Sequence, residues 1–211
     1  MTRTVFCIIT CLLLTRSGVA QDSLIKTSAF HDGYVNGFFN YLNDGSIYGM
    51  GITGGYYHNI YAEARYNYED LQTFSLFAGY SFSNDRHAVE WELIPMAGFA
   101  MGNTKAFLPG MEATLQYKRF NFTTQTEYAV NLENKTDNFF YTWSEFTYTI
   151  LPWLEPGIVV QRSKLYKSGR EVDRGLMLNA VFLPKATASA YFFDPFDPSR
   201  RFFIIGLNYS F

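Results

Sequence analysis

Over one stretch of this chain after another, every second residue is greasy. That period of two constrains the fold more than any other feature. Between residues 60 and 68, Ile60, Ala62, Ala64, Tyr66 and Tyr68 alternate with Tyr61, Glu63, Arg65 and Asn67. Between 73 and 82, Phe74, Leu76, Ala78, Tyr80 and Phe82 alternate with Thr73, Ser75, Phe77, Gly79 and Ser81. Met111, Ala113, Leu115 and Tyr117 are set against Glu112, Thr114, Gln116 and Lys118 in the same way, and Phe122, Tyr128 and Val130 against Asn121, Thr123, Gln125 and Glu127. Successive side chains of a strand point to opposite faces, so each stretch reads as a strand with one greasy and one polar face.

Composition then decides what the greasy face meets. The chain carries 21 Phe, 16 Tyr and 16 Gly, spread along its length. After residue 20 it has no apolar run near the ~20 residues a membrane helix needs. Many aromatics on alternating strands with no helical span are the signature of a closed transmembrane β-barrel. The expected fold is therefore all-β and antiparallel.

The first twenty residues stand apart. Arg3 is followed by an apolar run over 5–14 and by Gly18-Val19-Ala20 ahead of Gln21, the layout of a cleavable secretory signal. Cys11 lies inside the apolar run behind Thr10, an unsuitable setting for lipidation. Cleavage removes Cys7 and Cys11, which excludes a disulfide framework or thiolate metal site in the mature chain. It also removes Arg3 and Arg16, leaving 15 basic against 19 acidic residues, and nothing in that balance suggests a nucleic-acid partner. The expected organisation is a signal at 1–20, a short periplasmic segment at 21–33 and a barrel at 34–211.

Twelve strands are predicted, at 34–42, 46–57, 60–68, 73–82, 88–101, 110–118, 120–130, 139–149, 154–165, 174–183, 186–193 and 201–211. With both ends in the periplasm, alternate links should be tight turns, and 58–59, 83–87, Arg119, 150–153 and 184–185 are all short. The opposite links at 102–109, 131–138, 166–173 and 194–200 read as longer loops. Pro95 falls inside the fifth strand and predicts a bulge or break, since it has no N–H to give a ladder. The glycines at 33, 37, 49, 51, 54 and 55 weaken the pattern of the first two strands, so ten strands with an irregular N-terminal hairpin is the rival architecture.

The last strand places Phe203, Ile205, Leu207, Tyr209 and Phe211 on one face and Ile204, Gly206, Asn208 and Ser210 on the other. With Gly206, Tyr209 and the final Phe211, it resembles the terminal recognition signal of bacterial outer-membrane β-barrels, departing from it at Ile204, where a polar residue is usual. The resemblance implies residence in the outer membrane and insertion by the barrel-assembly machinery.

Outer-membrane barrel enzymes group a His with Ser, Asp or Asn near the outer rim or the lipid face. Here His31, His58 and His87 all map to the periplasmic end, out of reach of such substrates, so an enzyme is not expected. No histidine pair has ligand spacing, and Asp194-Pro195-Phe196-Asp197-Pro198 reads as a stiff turn, so neither metal nor cofactor is expected.

Parity sends Glu63, Arg65, Glu90, Glu92, Glu112, Lys118, Glu127, Glu145 and Glu155 inward, while Val89, Trp91, Leu93 and Phe146 face lipid. A charge on the lipid face at mid-membrane costs about 2–4 kcal/mol for Arg or Lys, which enforces this assignment at that depth. Two readings of an acidic interior stand side by side. One is a water-filled path favouring cations; the other is a packed polar core in which the carboxylates are hydrogen-bonded to Tyr, Thr and Arg. Inward Tyr61, Tyr141 and Trp143 would narrow any path.

Lys164, Lys167, Arg170 and Arg174, with Arg200 and Arg201, read as contacts to lipopolysaccharide phosphates. Twelve strands in a short chain also resemble the bacterial porins for acidic oligosaccharides. Those line their lumen with basic residues, however, so that substrate class is not expected here. Three functions follow in order: a narrow, weakly cation-preferring pore, a non-conducting barrel that docks partners through its outer loops, and an outer-leaflet enzyme.

Overall fold

The structure is a computed structural model and describes residues 30–84, 88–165 and 171–211. The expected export signal lies outside the described residues, as do His87, Lys167 and Arg170.

Among the described residues the chain forms thirteen hydrogen-bonded segments. They are β1 (Phe30–Tyr41), β2 (Ile47–Tyr57), β3 (Ile60–Tyr66), β4 (Thr73–Tyr80), β5 (Phe82–Asn84), β6 (Val89–Gly102) and β7 (Ala106–Tyr117). They continue with β8 (Phe120–Asn131), β9 (Phe139–Tyr148), β10 (Leu154–Leu165), β11 (Glu171–Leu183), β12 (Ala186–Phe193) and β13 (Phe202–Ser210). Both β4 and β5 pair with β6, and they are one stave interrupted at Ser81. Sequential neighbours pair antiparallel, β1 pairs with β13, and the β4–β6 pairing completes the ring. The result is a closed barrel of twelve staves, which removes every sheet edge.

The glycine-rich N-terminal hairpin is regular. Its register runs unbroken from Tyr34 opposite Gly54 to Tyr41 opposite Ile47, which disposes of the ten-stranded rival. Its one irregularity lies between His31 and Tyr34, where Asp32 adopts φ 49. Strand β1 thus includes residues 30–33, ahead of the expected start at residue 34. At Gly33 a Cβ would collide with the Phe211 ring, and the Phe211 N–H donates to the Gly33 carbonyl, so glycine lets Phe211 close against the first stave.

Pro95 breaks the ladder without bulging it. Leu93 opposes Phe82 and Met96 opposes Gly79 in one register, and the two pairs between them are missing from the ladder. On its other side Pro95 still opposes Met111. Pro109 behaves alike: the link expected over 102–109 shrinks to 103–105 because β7 begins at Ala106 and runs through the proline. Its ladder to β8 lapses between Phe107 and Gly110 while the register is kept.

The exterior is a hydrophobic band. Phe203, Ile205, Leu207, Tyr209 and Phe211 are between 42% and 59% exposed, whereas Ile204 on the opposite face is buried. Gly206, on the inner face, leaves room for the Phe38 ring, which a Cβ would meet at 2.9 Å. Two buried clusters fill parts of the interior. One joins Tyr61, Phe77, Ile94, Met96, Ala100, Ala106, Leu108 and Ala129. The other joins Val159, Met177, Tyr191, Phe193 and Ile204, with Phe38, Trp143 and Phe202 packed against it.

Candidate functional site in the barrel lumen

The centre of one lumen wall is Arg65 on β3, which is 1% exposed. Its Nε donates to Glu63 Oε1 at 2.6 Å, and Nη1 donates to Glu127 Oε2 at 2.8 Å and to Glu69 Oε1 at 3.3 Å. Nη2 lies 3.6 Å from Glu112 Oε1. The guanidinium stacks over the Phe77 ring, 4.1 Å from its centroid, with Tyr68 at 4.7 Å. One cation thus serves four carboxylates from β3, the following link, β7 and β8. A buried ion group of this kind holds only while every member keeps its partners, because each ion has surrendered its water.

Hydroxyl and indole donors, tyrosines above all, solvate the surplus negative charge. Tyr61 Oη donates to Glu63 Oε2 at 2.7 Å and approaches Glu112 Oε2 at 3.5 Å, and Tyr34 Oη also bonds Glu63. Glu92 accepts from Ser81 Oγ at 2.6 Å and from Tyr56 Oη at 3.3 Å. Glu145 accepts from Trp143 Nε1 at 2.8 Å and from Tyr191 Oη at 3.0 Å, and Glu155 accepts from Thr149 Oγ1 at 2.9 Å. The donors are those a packed polar interior needs.

The facing wall is aromatic. Phe193 stacks on Phe202 with centroids 4.5 Å apart, and Trp143 meets Tyr191 and Phe193 edge-on at 5.4 Å each. Between the walls lies a chamber of about 510 Å³, lined by Glu63 and Glu112 of the acidic wall, by Glu145 beside Trp143 on β9, and by Phe38 and Phe202. A second space of about 700 Å³ opens toward the end that carries the chain termini, and shares Tyr34, Asn36, Glu112, Thr114 and Thr123 with the chamber. A third, about 470 Å³, lies at the opposite end and shares Leu42, Asp173 and Phe202 with it. The three spaces are therefore stacked in series, and Glu112 stands at the lower junction.

Parity places Glu63, Arg65, Glu92, Glu112, Glu127, Glu145 and Glu155 on the inner side, but their roles differ. Glu63, Glu112 and Glu145 line the chamber, whereas Arg65 and Glu127 are sealed in the wall behind it. Glu90 keeps the inward parity yet is exposed, one residue into β6. Lys118 is a correction: β7 ends at Tyr117, and Lys118 is an exposed turn residue with φ 57, its amine 5.0 Å from the Tyr117 ring. A parity rule fails where the strand stops.

The same limit hid two members of the wall. Tyr68 extends the outward series by count, but β3 ends at Tyr66 and Asn67 takes φ 58, which turns Tyr68 inward beside Gln125, 3.2 Å away. Glu69, in the link itself, was not anticipated; its side chain is fully enclosed against Arg65 and Ser75. The Asn67 position, a residue type that tolerates positive φ, was the available signal. At the terminus-bearing end, His31 Nδ1 lies 2.7 Å from Asp32 and Nε2 lies 3.0 Å from the His58 carbonyl.

No protein-family profile matches the chain. No curated protein matches it either. Among solved structures it is similar to the KdgM porin, with TM-score 0.62 and 9% identity over 84% of this chain and 99% of that one. It is also similar to the NanC porin, with TM-score 0.60 and 12% identity over 84% of this chain and 98% of that one. At such identities the likeness is one of fold. The fold is that of a small porin-like β-barrel.

Proposed function

We propose that this protein is a narrow diffusion pore of the outer membrane, with its termini in the periplasm and a lumen that prefers cations. The observation that carries the reading is the position of Glu112. It lines both the central chamber and the space leading to the terminus-bearing end, where the two meet. A carboxylate at a constriction lowers the entry barrier for cations and raises it for anions. Glu63 and Glu145 line the same chamber, and Arg65, the nearest cation, is sealed behind the wall.

The size of the path supports small solutes. Tyr61 approaches Glu112, Tyr34 lines the same space, and Trp143 and Tyr191 line the chamber beside it, so hydrated ions and small polar molecules fit better than extended chains. The test is conductance of the purified barrel in a planar bilayer under a KCl gradient. Discrete openings with a cation-selective reversal potential, weakened by Glu112→Gln, are the expected result. Anion selectivity would overturn the acidic lining, and a folded barrel without conductance would overturn the pore.

A further inference from the structure

The outer wall carries a feature that a lipid-facing surface does not explain. On β10, Val159 is buried inside and Ile158 is 52% exposed outside, so Val160 and Arg162 point outward. On β11, Met177 is buried inside and Leu176 is 56% exposed outside, which puts Arg174 on the same exterior. Val160 opposes Arg174 and Arg162 opposes Val172, so the two arginines are diagonal neighbours across one strand pair, about 7–8 Å apart at the backbone.

Arg174 lies level with Val160, two positions from Arg162 along the ladder, and both lie toward the same end of the barrel. Arg162 lies nine positions from Trp153, an exposed apolar residue of the turn before β10, and Arg174 lies nine positions from exposed Leu183 at the end of β11. With a rise of ~3.3 Å per residue and a tilt of ~40°, nine residues climb about 23 Å along the axis. The apolar band of such a barrel is about 25 Å tall, so both guanidiniums stand at its upper margin, where headgroups begin.

Neither guanidinium has a carboxylate partner among the described residues, unlike Arg200, which pairs with Asp173 at 2.6 Å. Arg162 lies over the Phe140 ring, 5.3 Å from its centroid, and its Nε is shielded from solvent with no acceptor. Across the ladder its neighbour is Thr142, whose hydroxyl lies 3.3 Å from that of Thr126. A shielded N–H without an acceptor is costly, and an anion arriving from the membrane side would complete it.

We propose that Arg162 and Arg174 form a seat on the barrel exterior for a lipid phosphate, specifically the phosphomonoester of a sugar-headed membrane lipid. A phosphomonoester carries nearly two negative charges, matching two guanidiniums, and its several acceptor oxygens suit the forked donors of arginine. The phosphodiester of an ordinary phospholipid carries one. Thr142 borders the seat, and the apolar row of Phe146, Ile158, Leu176 and Phe192 below it offers a surface for acyl chains.

The test is native mass spectrometry of the detergent-purified barrel with diphosphorylated lipid A, the same lipid with its phosphates removed, and phosphatidylglycerol. The wild-type barrel is expected to retain the phosphorylated lipid at least about tenfold better than the other two. An Arg162→Ala, Arg174→Ala double variant, shown to be folded by its heat-modifiable gel migration, is expected to lose that preference. Arg162→Lys guards against misfolding of the double variant and should keep binding but weaken it, since lysine lacks the fork. Equal retention of the dephosphorylated lipid, or undiminished binding by the folded double variant, would overturn the seat. Equal binding of phosphatidylglycerol would overturn its assignment to a sugar-headed lipid.

Discussion

The two walls of the lumen are built by opposite means. Around Arg65, on the side of β3 to β8, five ionisable side chains lie within one hydrogen-bonded group, and their order comes from charge pairing. Around Phe193, on the side of β9 to β13, order comes from stacked rings and from Val159, Met177 and Ile204. One wall is held by partners that must all be present, the other by volume that can be partly rearranged. A closed barrel allows both because its staves are already fixed by backbone ladders, so the interior can specialise.

The largest expected effect separates the two. Arg65→Ala should destabilise the barrel by about 3–5 kcal/mol, because it strands Glu63, Glu69, Glu112 and Glu127 beside one another away from water. Urea unfolding in detergent measures it. Converting Glu63 and Glu127 to Gln in the same background should recover part of the loss, and a failure to recover would show that Arg65 acts by packing on Phe77 instead.

Phe193→Ala should cost about 3 kcal/mol, the low end for a buried aromatic, since Trp143 and Phe202 border the chamber and can move into the space. A loss larger than that of Arg65→Ala would reverse the ranking of the two walls. Trp143 fluorescence should shift in this variant and stay unchanged when Glu127 is altered.

Function sharpens the contrast within the acidic wall. Glu112→Gln should lower the cation-to-anion permeability ratio by roughly a factor of two to three, since a charge at a constriction acts directly on passing ions. Glu127→Gln should leave selectivity almost unchanged while reducing stability, because Glu127 is sealed behind the chamber. Reversal potentials of the two variants check this, and equal effects would mean that the wall acts through its summed field.

The smallest effect concerns the loop above the aromatic wall. Asp197 accepts from the Ser199 hydroxyl at 2.6 Å and from the Ser199 N–H at 3.0 Å, and these bonds hold its carboxyl below the usual range. A depressed carboxyl contributes order above its unfolded value and loses it as pH falls through the depressed one. The protection factor of the Ser199 amide, taken relative to its intrinsic exchange rate at each pH, should therefore be higher at neutral pH and lower in acid, with Trp143 emission unmoved. A simultaneous change in Trp143 would show that loop and wall are coupled.

Much of this was legible in the chain because side-chain direction in a strand is a local property. The twelve staves, the outward Phe203 to Phe211 series and the inward Glu63, Glu112 and Glu145 follow from alternation. What failed did so at strand ends. Lys118 kept its parity on paper but fell in a turn, and Tyr68 was reversed by the positive φ of Asn67. Pro109 lies within β7 rather than in the expected 102–109 link; the ladder there lapses locally and the strand continues through it.

The sequence alone determined that the chain is an antiparallel barrel and, within the body of each stave, which residues turn inward, since alternation depends on neighbours one or two positions apart; the count of twelve over ten was decided by the regular pairing of β1 with β2. The tertiary structure decided which inward residues meet. Glu63, Glu69, Glu112 and Glu127 converge on Arg65 from places up to 62 positions away along the chain. That convergence depends on closure between β4 and β6 and on the stagger of the staves around the ring, quantities that no local pattern encodes.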